Sequence, residues 1–172
     1  MAVSTILHDG KGPKMDGARL DGQGGETTVA GETAATRELV HRFFDACNRR
    51  DMDGVFDCFH PDIIHYSRLS EYPKNGIAFA YGATFSAFPD LQWTIHEIIA
   101  ERDRVATLVS IEGTHQGEYL GQAATGRRVR IWSVDIGRVK DGRFIEHRGV
   151  LDELHLIAQI GIVPETYLAQ MS

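Results

Sequence analysis

A change of hydrophobic period near Pro89 divides this chain. Before it, apolar residues recur at helical spacing. "TAATRELVHRFFDACNRRD" sets Leu39, Val40, Phe43, Phe44 and Cys47 on one face, with Thr33 or Thr36 as the cap. "DMDGVFDCF" reads as a short second helix capped by Asp51, with Val55, Phe56 and Phe59 inward. Pro61 stops it at His60, and "IIHY" is a short extended piece. "NGIAFAYGATFSAF" is a third helix ending at Pro89. After it the period becomes two. "LQWTIHEIIA" sets Leu91, Trp93, Ile95, Glu97 and Ile99 against Gln92, Thr94, His96 and Ile98. "VATLVSIEGTH", "RRVRIWSVDIGRV" and "RFIEHRGV" continue as strands, and "LDELHLIAQIGI" is a closing helix ended by Gly161 and Pro164. Helices first and strands afterwards predict an α+β fold, with helices on one face of a curved, mainly antiparallel sheet. The order does not suit alternating βαβ units, and there is no GxGxxG or phosphate loop.

Residues 1–32 are rich in glycine and polar residues and lack periodicity. Such a segment buries too little apolar surface to offset its ordering entropy, so a flexible tail is expected, or one that covers a neighbouring subunit. Residues 33–172 are read as one domain. A net charge of −6 argues against nucleic acid and anionic membranes as partners. No apolar run reaches the roughly 18 residues of a membrane span, and no signal-peptide core is present. The two cysteines, Cys47 and Cys58, are expected as buried thiols, and the compartment as cytoplasmic.

A sheet curled over helices leaves an apolar pocket with a few inward polar groups. The hairpin "SVDIGRVKDGRFIEHRGV" offers the most. A two-residue turn at Asp141-Gly142 pairs Asp135 with Arg148 and Ile136 with His147. A three-residue turn with Gly142 as a bulge pairs Asp135 with His147. One residue of register swaps the partners, and Asp-Gly suits both turns. The second register groups Ile131, Ser133, Asp135 and Gly137 with Ile145, His147 and Gly149, as a pocket wall. It leaves Trp132, Val134, Ile136, Phe144 and Arg148 on a half-exposed or subunit-covered face. An Asp135–His147 pair fixes the imidazole tautomer for acid–base work, or merely holds the register. His65 and Tyr66 are candidates for a pocket rim. His115 either pins the glycine-rich loop after it or contacts a ligand. Tyr81 and Phe85 are four apart on one helix face, His96 faces away from Trp93, and Asp152 reads as a cap. No ligand spacing supports a metal at His65, His115 and His147.

The blocks "HRFFDACNRRDMDGVFDCFHPD", "GTHQGEYLG…ATGRRV" and "DIGRVKDGRFIEHRGVLDELHLIAQIG" resemble the SnoaL-like polyketide cyclase family, within the nuclear-transport-factor-2-like superfamily. The resemblance spans about residues 35–163. It implies a cone-shaped barrel, its sheet wrapped around N-terminal helices and closed by a C-terminal helix. It also implies a deep apolar pocket, a homodimer or homotetramer, and the bulged turn. Cyclases of this kind close rings by aldol chemistry without metal or cofactor, using an acid two positions after the histidine of the "EHR" block. Here that position is Gly149. The histidine facing it there corresponds to Asp135, and a pocket asparagine to His65. The resulting expectation is a cofactor-independent enzyme that closes or isomerises a hydrophobic polyketide-like metabolite. His147 is its general base or acid, Asp135 orients it, and His65 polarises a substrate oxygen. Tyr66, Tyr81, His115, Trp132, Ser133 and Gly149 are the candidate substrate contacts. The alternatives are an epoxide-opening cyclase or hydrolase, and a non-catalytic ligand-binding or scaffold protein.

Overall fold

The computed structural model describes residues 28–67, 70–72 and 74–163. Most of the expected tail, and Pro164, lie outside the described residues. Helix α1 (Val29–Arg49) begins four residues before the expected Thr33, because the Thr28 side chain accepts a hydrogen bond from Gly31 N. The threonines expected as caps have another task. Thr33 Oγ1 accepts from Arg102 N at 3.0 Å, and Thr36 Oγ1 donates to Arg102 O at 2.6 Å. Together they tie the helix to a turn between two strands. Leu39, Val40, Phe43, Phe44 and Cys47 are buried as the periodicity requires. Burial contributes roughly 1.5–3 kcal/mol for each large side chain among them.

Helix α2 (Met52–Asp57) is capped by Asp51, whose Oδ1 accepts from Gly54 N at 2.9 Å. Strand β1 (Phe59–Ser67) starts earlier than the short extended piece expected and carries Pro61. It tolerates the proline because its pairing is interrupted between Phe59 and Ile64. Strand β2 (Ser70–Tyr72) and helix α3 (Lys74–Ala87) follow. Then come β3 (Gln92–Glu101), β4 (Arg104–Thr114), β5 (Arg128–Lys140), β6 (Arg143–Leu151) and α4 (Glu153–Gln159). Asp152 Oδ1 caps α4 by accepting from His155 N at 3.2 Å.

Among the described residues the six strands run β2-β1-β6-β5-β4-β3, antiparallel except for the parallel pair β1–β6. The two ends of the sheet do not pair with each other. Its inner face buries Val105, Val109, Ile111, Val129 and Ile131 against Leu39, Phe43 and Phe44. Asn48 fastens α1 to the sheet edge with both arms of its amide. Nδ2 donates to Trp93 O at 2.9 Å, and Oδ1 accepts from Trp93 N at 2.8 Å.

Two bulges change which residues face inward. In β3 the register shifts between Ile95 and Glu97, so Trp93, Ile95 and Ile98 are half-buried while Ile99 is exposed. Simple alternation places Ile99 with Trp93 instead. The hairpin follows neither expected register. Asp141 and Gly142 both have positive φ (52° and 70°), as a two-residue turn demands, and Lys140 pairs with Arg143. The extra residue sits in β6, where the register shifts between Arg138 and Val139 of the partner strand. Beyond it Asp135 faces Gly149, and Gly137 faces His147. The shift also turns Phe144 inward, onto Phe43 (ring centroids 5.7 Å) and Phe59 (6.3 Å). Burying that ring is the reason the bulge belongs where it is.

Candidate active site

The register brings together what it does not pair. Asp135 and His147 each face a glycine across the β5–β6 ladder; the Phe144 ring fills the space above Gly137, and the open position at Gly149 lets Asp135 lean on the diagonal toward His147. Asp135 Oδ1 lies 3.3 Å from His147 Nε2. A Cβ added at Gly149 would meet Asp135 Oδ1 at 3.2 Å. Ser133, two residues back on the same face, donates from Oγ to Asp135 Oδ2 at 3.0 Å. Both carboxylate oxygens are thus engaged.

The parallel pair supplies the other half. His65 of β1 is level with His147 of β6, so both imidazoles project from one face. Their rings stack at 5.1 Å and 17°, with the two Nδ1 atoms 3.1 Å apart. Phe43, Phe59 and Phe144 surround the His147 ring at 5.3, 5.8 and 5.7 Å and hold it rigid. The result is one line: Ser133, Asp135, His147, His65.

The line suits one pair of tautomers. An ionised carboxylate only accepts, so the form that matches it carries a hydrogen on His147 Nε2, 3.3 Å from Asp135, and leaves His147 Nδ1 to accept from His65 Nδ1. Among the described residues His65 Nε2 has no hydrogen-bond partner, and His65 lines the cavity. Burial, and then the charge His147 can carry, lower the His65 pKa from 6.5 to about 4, with Asp135 opposing.

The cavity has a volume of about 510 Å³ and is bounded by α3, the inner face of the sheet and the start of α4. Its walls are largely apolar and aromatic, including Phe88, Trp93, Ile111 and Ile131. His65, Tyr66, Tyr81, Ser133, Asp135, His147 and Gly149 all line it. Two expected contacts do not. Trp132 points to the outer face, where it is 45% exposed and packs on the His96 ring at 4.7 Å. Its strand position has the parity opposite to Ser133. His115 is fully buried outside the cavity, with Nδ1 3.0 Å from Thr125 Oγ1 and its ring against Phe88. Its main chain bonds Arg127 O and Gly126 N, so it pins the glycine-rich loop. Burial lowers its pKa.

Tyr119 and Glu153 also line the cavity, and sequence reasoning passes over both. Tyr119 sits in the loop, edge-on to Phe88 at 5.3 Å. An aromatic among three loop glycines is the available signal. Cys47, read only as core, lies behind Tyr81. Burial, then Asp135, raises its thiol pKa far above the usual range.

The model of the SnoaL-like polyketide cyclases matches residues 38–160. The chain belongs to this family. Among curated proteins it is similar to the aklanonic acid methyl ester cyclase DnrD of Streptomyces peucetius, 28% identical over 72% of this chain and 89% of DnrD. Among solved structures, this SnoaL-like chain is similar to AclR, a proposed hydroxylase of Streptomyces galilaeus. The two are 36% identical with a TM-score of 0.73, over 77% of this chain and 84% of AclR. TsrD of Streptomyces laurentii is 29% identical with a TM-score of 0.69, over 76% of this chain and 97% of its own. The described architecture is the cone-shaped α+β fold of these relatives.

Proposed function

We propose that this protein closes a ring on a polyketide ester by acid–base catalysis, without a cofactor, and that His65 is the residue that touches the substrate. The carrying observation is the Asp135–His147–His65 line, which ends on the cavity wall with one nitrogen unengaged. His65 Nε2 takes a proton from the substrate carbon. The His65 Nδ1 hydrogen passes to His147 Nδ1 across 3.1 Å, and Asp135 stabilises the imidazolium that results. The reverse shift returns the proton to the new alkoxide. The sequence-based roles thus exchange: His147 becomes the inner relay and His65 the base. Gly149 stands where the family acid was expected, and the line replaces that acid from the neighbouring strand.

General acid–base help of this kind is worth about 10²–10⁴-fold, enough for an activated carbon acid. Epoxide opening would ask Asp135 to reach the ligand, yet both its oxygens are already engaged by Ser133 and His147. The test is incubation with aklanonic acid methyl ester, the compound named for the relative DnrD. The expected product is a cyclised isomer of unchanged mass, lost in His65→Ala. Turnover that persists in His65→Ala overturns the assignment. The likeness to AclR supports a second reading, in which the same carbanion is intercepted by dioxygen and an added reductant completes the alcohol. Oxygen consumption with a product 16 Da heavier (roughly one oxygen atom) would select it over ring closure.

A further inference from the structure

We propose that Tyr81 is a catalytic residue of this cavity, its phenol O–H holding, from the α3 wall, the carbonyl oxygen on which charge develops. This rests on the acid–base reading above. Helix α3 contributes Ile77, Ala80, Tyr81, Ala83 and Thr84 to the cavity, so among the described residues its wall offers two hydroxyls. The Thr84 proton is committed to Ala80 O at 2.9 Å. The Tyr81 hydroxyl instead lies beside the Cys47 thiol, a weak hydrogen-bonding group that competes poorly with a ligand oxygen.

The phenol is fit to donate and unfit to act as a base. Burial first, then Cys47 and Asp135, push its pKa well above the ordinary 10, so it keeps its proton. Its ring is also held. It packs on Phe85 at 5.8 Å, and Phe85 stands edge-on to Trp93 at 5.9 Å beneath the Arg50 guanidinium at 4.9 Å. A donor fixed before the reaction costs no reorganisation during it. The other cavity phenols lie elsewhere: Tyr66 under the Arg148 guanidinium at 4.4 Å, and Tyr119 on the loop.

The step balances without a co-reactant. The carbon's proton goes to His65 Nε2, and the C–H pair forms the new C–C bond to the carbonyl carbon. The carbonyl π pair moves to its oxygen, which accepts the Tyr81 O–H. The proton held by the histidine pair then neutralises that oxygen.

The experiment follows aklanonic acid methyl ester in D₂O with wild type, Tyr81→Phe, Cys47→Ala and His65→Ala. It reads ring closure, and deuterium taken into unreacted ester above the enzyme-free rate. Tyr81→Phe should close the ring about 10²–10³-fold more slowly, the loss typical of one oxyanion donor, while deuterium uptake continues. Cys47→Ala should stay within about threefold of wild type, since a thiol is a weak partner. His65→Ala should lose both activities. Tyr81→Phe closing at the wild-type rate, losing both activities together, or being matched by Cys47→Ala overturns the proposal. Wild type that neither exchanges nor closes overturns the acid–base reading beneath it as well.

Discussion

Replacing His65 by asparagine should flatten the acid side of the stability profile. The ring is held neutral by burial and by His147, which together lower its pKa from 6.5 to about 4. An unfolded chain takes up this proton below about pH 6.5, the folded chain only below about 4. Between those values the unfolded state binds more protons, so stability falls as pH falls. At about 1.4 kcal/mol for each pH unit travelled between those two values, the ring alone removes roughly 2.5 kcal/mol from about pH 7.5 to pH 4.5. That is a large fraction of the 5–15 kcal/mol typical of a domain. Carboxylates and His115 add their own losses, but they are common to both proteins. Urea unfolding at the two pH values, in wild type and His65→Asn, isolates the contribution of this ring. The wild type should lose about 2.5 kcal/mol more than the variant. Equal losses, within about 0.5 kcal/mol, would refute the claim that His65 is held uncharged beside His147.

Three further outcomes rest on particular contacts. The two hairpin glycines should differ in urea unfolding: Gly137→Ala should cost about 1–3 kcal/mol, because its Cβ would lie 2.7 Å from the Phe144 ring and 3.3 Å from Val105. Gly149→Ala should cost less than about 1 kcal/mol by comparison, since it meets only Asp135 Oδ1 at 3.2 Å and Leu151 at 3.6 Å. Asn48→Ala should lower stability by about 2 kcal/mol in the same assay, one for each bond of its amide to Trp93. Asp135→Asn should lower kcat for ring closure about 10²-fold with KM nearly unchanged, because the imidazolium loses its anionic partner while the cavity keeps its shape.

Local features are legible where local chemistry decides them. The stripe from Leu39 to Cys47 and the caps at Asp51 and Asp152 are written within a few residues of chain. The contact between Asp135 and His147 is expected from the sequence on other grounds than those that produce it. The bulged turn implies a direct cross-strand pair, whereas the contact is a diagonal across two glycines. Asp141-Gly142 permits several turns, and the extra residue is taken up in β6, where Phe144 has an aromatic cluster to join. The His65–His147 stack cannot be read at all. It depends on β1 lying parallel to β6 across 82 residues of sequence, and no local signal encodes that register. Trp132 shows the opposite error. Its alternation with Ser133 already points outward, and grouping it with the ligand contacts sets that aside.

Chemical rescue tests the assignment of His65 most directly. His65→Gly removes the cavity-facing imidazole and leaves His147 and Asp135 in place. Ring closure of aklanonic acid methyl ester by this variant should fall about 10²–10⁴-fold and recover in proportion to added imidazole. A variant that closes the ring at the wild-type rate without imidazole, or one that stays inactive at every imidazole concentration while still binding the ester, would contradict the account.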